Sequence, residues 1–247
     1  MMKRLLCVLC AALCLCAAAC AESFVYGQSE LGRDLVCWQL GDEQAEKSIL
    51  TVFAVHGFED SRDRDGEVLT HIAQQIIAHY EAAPQKLEGF RLYVVPCANP
   101  DGQLEGTGKD GFGRCNANGL DINRDFSVKW TRKTTPRYRT GDQPFSTAEA
   151  RAIRDLVEQV KPDYGVDVHG WINGVYGDKA FAQAFRNAFG FGYRKYSGGG
   201  MLSQWMAEQT EASVMVELPK YPDRDGYVEK HAANMIEALD SWMAKKR

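Results

Sequence analysis

Three short apolar segments of this 247-residue chain end abruptly at a side chain that can bind a metal or accept a proton. They are Ile49 to Val55 before His56, Tyr164 to Val168 before His169, and Ser213 to Val216 before Glu217. Nearly continuous apolar runs of this length are typical of strands buried on both faces of a sheet. Ligands of open α/β sheets bind beyond the strand ends, so we expect the three side chains to meet there.

Helical patterns between these segments indicate the fold class. Apolar residues recur at helical spacing from Glu67 to Tyr80, and Ser146 and Glu149 form a capping-box pattern that opens a helix ending at Val160. Further helices are predicted over 179–189, 201–209 and 227–245, an edge strand over 34–40, a strand over 90–95 and a long loop over 103–139. We therefore expect an α/β protein, a single-domain α/β/α sandwich with a twisted mixed central sheet and helices on both faces.

Composition favours one domain and excludes some partners. The chain is 45% hydrophobic, which is enough for one substantial core, and residues 22–247 are predicted to form that domain as a monomer. The formal net charge of -4 gives no basic surface for nucleic acid. No stretch after the N-terminal segment approaches the ~18 apolar residues of a membrane span.

Residues 1–21 have the features of a signal peptide. Two basic residues precede an apolar stretch from Leu5 to Ala19, and Ala19-Cys-Ala21 is a small-residue cleavage site. We expect the chain to be exported, and so secreted, periplasmic or associated with the cell envelope. A lipoprotein signal anchored through Cys20 is the less favoured alternative, because Ala17 stands where such signals usually carry Leu.

Removal of this segment would leave three cysteines, Cys37, Cys97 and Cys115. An odd number argues against a disulfide scaffold. Either Cys97 and Cys115 form one bridge, or all three are free and mostly buried thiols.

His56, Glu59 and His169 are candidate ligands for one zinc ion. Catalytic zinc usually has three His or carboxylate ligands and one open position, and His56-x-x-Glu59 lies on a loop that leaves a strand. The alternative is that both histidines are core residues bonded to backbone. It is disfavoured because each ends an apolar segment and is followed by Gly. The remaining histidines are interpreted as structural or solvated: His71, His79 and His231.

An arginine-rich loop and Glu217 supply the other chemistry. The segment from Arg114 to Phe126 carries two arginines and several asparagines, which suits an anionic substrate end or an oxyanion, although a polar surface loop would look similar. Glu217 follows three apolar residues, where a carboxylate is expected only if it is paired or functional. Beside a metal it could act as general base and then as general acid; the alternative is a strand-end acid paired with Arg.

The ordered motifs resemble those of the zinc carboxypeptidases of the funnelin, or M14, type. In chain order they are Gly27-x-Ser-x-x-Gly-Arg33, His56-Gly-x-Glu59, Asn99-Pro-Asp-Gly102, Arg114-x-Asn-x-x-Gly-x-Asp-x-Asn-Arg124, His169, a Gly-rich loop and Glu217. Each motif is modest alone, but the ordered set covers nearly the whole mature chain and is specific. The chain is most similar to small bacterial members of the murein-peptide amidase kind, which trim peptidoglycan stem peptides.

The resemblance implies a role for each matching residue. It implies that zinc is bound by His56, Glu59 and His169, with Asp121 orienting the first of these. It implies that Arg114 polarises the scissile carbonyl, that Asn123 and Arg124 bind a terminal carboxylate, and that Glu217 is the catalytic base.

Two positions depart from the family pattern. Asp125 stands where members often have Asn. Aligning Ser197-Gly-Gly199 on the family's Gly-rich loop places Arg194 where a mobile, substrate-contacting Tyr is expected. The equivalent is then Tyr193, Tyr196 or none, and we take Tyr196 as the candidate. The same alignment places Met201 at a position that sets side-chain specificity.

The expected function is zinc-dependent hydrolysis of an amide bond near a free carboxylate, by a carboxypeptidase or a γ-D-glutamyl-diaminopimelate amidase. The expected substrate is a peptide from the cell wall. Two alternatives are kept. One is a zinc-dependent N-acyl amino acid deacylase of the aspartoacylase type, which shares part of the motif set. The other is a catalytically inactive, peptide-binding relative, which the complete ligand set and Glu217 disfavour.

Overall fold

The computed structural model describes residues 21–220 and 222–247. Strands in this part of the chain are β1 (Glu22–Gln28), β2 (Asp34–Gly41), β3 (Lys47–Phe53), β4 (Phe90–Val95), β5 (Gly108–Cys115), β6 (Tyr164–Gly170), β7 (Gly174–Gly177), β8 (Gly192–Tyr193) and β9 (Ala212–Leu218). Its α-helices are α1 (Gly66–Ala82), α2 (Pro100–Glu105), α3 (Ala148–Val160), α4 (Lys179–Phe189), α5 (Leu202–Gln209) and α6 (Tyr227–Lys246).

Eight of these strands form one mixed sheet in the order β1-β2-β4-β3-β6-β9-β7-β8. The four central strands β4, β3, β6 and β9 are parallel, whereas β2 and β7 run antiparallel to their neighbours β4 and β9. The central strands are buried along almost their whole length, which explains their continuous apolar sequences. The predicted mixed central sheet is confirmed.

Helices cover both faces of the sheet. On one face, residues of α1, α4 and α6 pack on side chains such as Phe53 and Val166 in one apolar cluster. On the other face, residues of α3 and α5 pack on Leu50 and Val52 in a second cluster. Successive residues of β3 therefore point to opposite cores, as the period of a strand requires. The α/β/α sandwich is the architecture that the sequence predicted.

The structure corrects the expectations for the sheet edges. Residues 34–40 do not form an edge strand, because β2 pairs with β4 on one side and with β1 on the other. The sequence patterns do not predict β1, β7 or β8. The long loop over 103–139 contains β5 and the end of α2. These elements are short or rich in Gly, so their apolar periodicity is weak.

The start of α3 also differs from the prediction by one residue. Thr147, not Ser146, is the N-cap, and its side-chain oxygen accepts a hydrogen bond from Ala150 N. Glu149 does not complete a capping box. It is buried, and its carboxylate accepts from Glu30 N and from Asn116 Nδ2. A carboxylate in the first turn still favours the helix through the helix dipole.

Three predictions concern covalent state and targeting. Cys37, Cys97 and Cys115 are free thiols, so the alternative Cys97–Cys115 bridge is not formed. The predicted signal peptide lies outside the described residues, except for its last residue, as does Cys20. Among the described residues, no helix is long and apolar enough to cross a membrane.

The lead-in before β2 is fixed by the buried carboxylate of Asp101. Asp101 accepts hydrogen bonds from Ser29 Oγ at 2.8 Å, Leu31 N at 2.9 Å and Arg33 Nη1 at 2.5 Å. The Ser and Arg of the lead-in motif and the Asp of the Asn99-Pro-Asp-Gly102 turn therefore form one structural unit. These two motifs shape the scaffold and do not supply chemistry.

We predict that Asp101→Ala lowers the free energy of unfolding by about 2–4 kcal/mol, because it leaves buried donors without an acceptor. Chemical denaturation of the purified domain would measure the change. Glu105→Ala is the matched control, since the more exposed Glu105 binds the same Arg33, and it should cost less than about 1 kcal/mol. Equal effects of the two variants would contradict the assignment.

Candidate active site

Three neighbouring parallel strands deliver the predicted site residues to one edge of the sheet. In the order β3-β6-β9, His56 lies just beyond the end of β3, while His169 and Glu217 are paired residues near the ends of β6 and β9. All three side chains are buried. The convergence follows from parallel strand direction, because the carboxyl ends of parallel strands share one edge.

His56, Glu59 and His169 form a cluster that could hold a metal ion. Their candidate ligand atoms all lie within 4.8 Å of one another. Glu59 Oε2 is 3.3 Å from His56 Nδ1, and Glu59 Oε1 is 3.0 Å from His169 Nδ1. Burial alone would raise the pKa of Glu59, but the two histidines lower the pKa to about 2. The carboxylate is thus ionised, as a metal ligand must be.

The other ring nitrogen of each histidine faces an aspartate. Asp121 Oδ1 lies 2.9 Å from His56 Nε2, and Asp167 Oδ1 lies 2.8 Å from His169 Nε2. A neutral imidazole that donates Nε2–H to a carboxylate leaves Nδ1 free to bind a metal. Two imidazole nitrogens and one carboxylate, with carboxylates behind the rings, suit zinc. The residues present therefore fit the ion that the resemblance implies.

Asp65 holds the loop that carries Glu59. Its buried carboxylate accepts hydrogen bonds from the backbone N–H of Glu59, from Ser61 N at 2.6 Å and from Trp171 Nε1 at 2.7 Å. Trp171 follows His169 by two residues, so Asp65 ties the loop of one ligand to the segment after another. No periodic pattern marks Asp65 in the sequence, and its role was not predicted.

The Glu217 side chain is buried in the same site and has a raised pKa. Its Oε2 has no hydrogen-bond partner in the described part of the chain. Burial raises the pKa of Glu217 to about 8. A carboxylate whose charge is disfavoured by burial accepts a proton more readily than an exposed one.

Arg114 and Arg124 bring positive charge to the same cavity. Arg114 is buried near the end of β5, and its Nε lies 3.9 Å from Asp121 Oδ2. Arg124 Nη1 donates to Asn123 O at 2.6 Å. Both guanidinium groups lie over the ring of Tyr138, with the ring centroid 5.8 Å from Arg114 Cζ and 5.1 Å from Arg124 Cζ.

The Asn123 side chain is engaged within the protein. Its Oδ1 accepts from Leu202 N at 2.9 Å, and its Nδ2 lies 3.1 Å from His169 Nε2. Asn123 lines the cavity with Arg124, but its amide also connects the metal cluster to the start of α5.

The cavity has a volume of about 230 Å³ and contains most of the predicted site. Of the predicted residues it is lined by His56, Glu59, Arg114, Asn123, Arg124, His169, Met201 and Glu217. Asp121 lies behind His56, fully buried. Tyr196 does not line the cavity, because its hydroxyl donates to Ser203 Oγ at 3.0 Å.

Several cavity residues were not predicted from the sequence. They include Asp60, Arg137, Tyr138, Tyr176 and Met215. Tyr176 and Met215 face each other across β7 and β9, and alternation along β9 places Met215 on the same face as Glu217. That alternation was the available signal for Met215. Tyr138 ends a three-residue 3₁₀ helix, Pro136–Tyr138, which is too short to carry such a signal.

Tyr176 is the tyrosine that lies beside Glu217. The proximity of the Glu217 charge adds to burial in raising the pKa of Tyr176. Its ring stacks on Tyr196, with 5.3 Å between centroids. The other aligned candidates are directed elsewhere: Tyr193 donates to Gly177 O, and Arg194 donates to Ile172 O and Asn173 O.

Residues 18–235 match the zinc carboxypeptidase family, Peptidase M14, and the chain belongs to that family. The family is zinc-dependent, and its members include murein peptide amidases. The sequence prediction of the family is thus confirmed.

Among curated relatives, bacteriocin BCN5 of Clostridium perfringens is 35% identical over 207 residues, which are 81% of this chain and 23% of that protein. Murein peptide amidase A of Escherichia coli K12 is 30% identical over 157 residues, 58% of this chain and 57% of the amidase. The chain therefore spans about a quarter of the first relative and just over half of the second.

Solved structures share the fold. Murein-tripeptide amidase from Escherichia coli O157 superposes with a TM-score of 0.64 at 23% identity, covering 87% of this chain and 92% of the amidase. Bovine thrombin-activatable fibrinolysis inhibitor superposes with a TM-score of 0.76 at 16% identity, covering 92% and 91% of the two chains.

We predict that Asp65→Asn loosens the Glu59 loop, because an amide offers one acceptor oxygen where the carboxylate offers two. The free energy of unfolding should fall by about 2–3 kcal/mol. Hydrogen exchange of the Glu59 and Ser61 amides should become faster than in the parent protein. Asp63→Asn is the control, since Asp63 lies exposed in the same loop. Unchanged exchange in Asp65→Asn would show that the carboxylate does not hold the loop.

Proposed function

We propose that this chain is an exported zinc metallopeptidase that hydrolyses an amide bond near a free carboxylate of a peptidoglycan stem peptide. One observation carries the proposal. A single cavity joins the His–Glu–His cluster, the unbonded carboxylate oxygen of Glu217 and the guanidinium groups of Arg114 and Arg124. A metal-assisted hydrolase needs these three components within reach of one peptide bond.

Each residue of the site has a separate role in the proposed reaction. A zinc ion held by His56, Glu59 and His169 would supply Lewis-acid polarisation of water and carbonyl. Glu217 accepts a proton from the attacking water and donates it to the leaving amine. Arg114 donates hydrogen bonds to the carbonyl oxygen as negative charge develops on it, an effect often worth several kcal/mol.

Arg124 and Asn123 select the substrate. Arg124, with Asn123 beside it, binds a free carboxylate of the leaving fragment, because a guanidinium matches a carboxylate with two parallel hydrogen bonds. This contact favours cleavage close to a chain end. Met201, Tyr176 and Met215 also line the cavity, and we propose that the side chain of that fragment packs against them.

The substrate class rests on relatives and on the expected export of the chain. Two of the relatives are named murein peptide amidases, and one solved structure is named murein-tripeptide amidase. A signal peptide over residues 1–21 would bring this chain to the compartment that holds murein. We therefore propose γ-D-glutamyl-diaminopimelate peptides as the preferred substrates, in place of N-acyl amino acids.

We predict that Glu217→Gln lowers kcat by about 10²–10⁴-fold, because glutamine cannot accept the proton. The assay incubates the protein with muropeptides of known stem length and identifies products by mass. Zinc content should remain at one equivalent in the variant. Glu208→Gln, at an exposed position of α5, is the control. Wild-type rates in Glu217→Gln would remove the proposed base, and cleavage of N-acyl amino acids alone would favour a deacylase.

We predict that Arg124→Met removes the preference for a free carboxylate. Replacing the terminal carboxylate of a substrate by its amide should lower kcat/KM about 30–100-fold for the parent protein, and by far less for the variant. Arg132→Met is the control, since Arg132 is exposed and pairs with Asp142. An equal preference in parent and Arg124→Met would place the carboxylate elsewhere.

A further inference from the structure

Asp167 is a buried acid that the proposed reaction does not use. It lies in the middle of β6, between Val52 of β3 and Met215 of β9 in the sheet register, and is fully buried. Neither carboxylate oxygen has a hydrogen-bond partner among the described residues. Its one ion-pair contact among the residues that the structure describes is with His169 Nε2, 2.8 Å from Oδ1.

A carboxylate in this position costs stability. Transfer of a charged group from water to an apolar interior is unfavourable unless partners compensate. No lysine or arginine of the described residues forms an ion pair with Asp167. An apolar side chain like those of its neighbours would fill the same place at lower cost. The acid is therefore explained better by what it does to His169 than by packing.

The two histidines of the cluster have similar surroundings, although only the contact of His56 with Asp121 is an aligned hydrogen bond. Each presents Nδ1 to one oxygen of Glu59, and each presents Nε2 to the carboxylate of an aspartate. Asp121 is the aspartate at His56, at 2.9 Å. Asp167 occupies the corresponding place at His169, although it comes from the same strand two residues earlier.

Asn123 makes this second carboxylate necessary. Because Asn123 Oδ1 accepts from Leu202 N, its Nδ2 must be the atom that faces His169 Nε2 at 3.1 Å. An amide donor at that position favours the imidazole with the proton on Nδ1, the nitrogen that a metal would need. An acceptor next to Nε2 favours the opposite tautomer, with Nε2 protonated and Nδ1 free.

We propose that Asp167 is a positioning residue that keeps the proton of His169 on Nε2, against the influence of Asn123, and so leaves Nδ1 free to bind zinc. The inference rests on the proposed function, because it concerns the metal site of that reaction. Asp167 does not line the cavity, and we propose that it affects the metal site through its contact with His169.

The test measures zinc affinity of the purified domain by competition with a chromogenic chelator. Asp167→Asn keeps the shape and weakens the acceptor, and Asp167→Leu removes it. We expect zinc to bind about 10–100-fold more weakly, with the larger loss in Asp167→Leu. The melting temperature of the zinc-free variants should equal or exceed that of the zinc-free parent, whereas a merely structural residue would lower it.

A spectroscopic readout observes the tautomer directly. Nitrogen-15 NMR of the zinc-loaded parent should show His169 protonated on Nε2, and this Nε2–H should exchange faster with water in Asp167→Asn. The zinc-loaded form is needed because Glu59 Oε1 accepts from Nδ1 when no ion is bound. Asp125→Asn is the matched control, because Asp125 is also fully buried but bonds to Thr147 and not to a histidine. It should leave zinc affinity and the His169 spectrum unchanged.

The outcomes separate the two proposals. A parent protein that binds zinc, with both Asp167 variants binding it equally well, would overturn the role of Asp167 and leave the proposed function standing. So would an Nε2–H of His169 in the zinc-loaded parent that exchanges no faster in either Asp167 variant. A parent protein that binds no zinc would overturn both. If Asp167→Leu fails to fold, Asp167→Asn alone decides.

Discussion

The rest of the structure depends on a group of buried carboxyl side chains at one edge of the sheet. Glu59, Asp121, Asp167 and Glu217 are all buried around two imidazole rings. The guanidinium groups of Arg114 and Arg124 lower the pKa of Asp121, and Arg114 also acts on Glu217. Carboxylates crowded in this way repel one another and lose hydration, so a bound cation would relieve a cost that the fold otherwise carries. The same imbalance therefore supports both the metal and its position between the histidines.

The scaffold around this charge depends on close backbone approach, which explains the glycines of the motifs. A Cβ at Gly57 would lie 2.2 Å from the backbone carbon of Gly102, in the Asn99-Pro-Asp-Gly102 turn. A Cβ at Gly200 would lie 2.4 Å from Arg124 O, and its φ of +76° also disfavours other residues. The His56 loop and the arginine segment are thus pressed against neighbouring loops. Motifs that are far apart in the sequence therefore contact one another in the fold through these glycines.

Central elements and site residues could be predicted from the sequence for one physical reason. Buried parallel strands and amphipathic helices have strong apolar patterns, and β4 and α4 have the predicted bounds. His56, His169 and Glu217 stand out because each follows an apolar strand at the sheet edge where ligands of such folds bind. Edge strands such as β1 and β8 carry weak patterns, since few of their residues are buried. Tyr138 ends a short 3₁₀ helix and Asp65 is the N-cap of α1, and neither position has a periodic pattern that fixes the direction of its side chain.

The role of Asp167 could not be predicted from the sequence, although the strand that contains it could. Its position in β6 is clear from the pattern, and its alternation with Val166 and Val168 predicts the same face as His169. Nothing in the sequence says that Asn123, from a loop 46 residues earlier, approaches the same ring nitrogen. The competition between an amide donor and a carboxylate acceptor exists only in the folded chain. Which nitrogen of His169 is free then depends on both residues, so substitution at either one should change the metal site without touching a ligand.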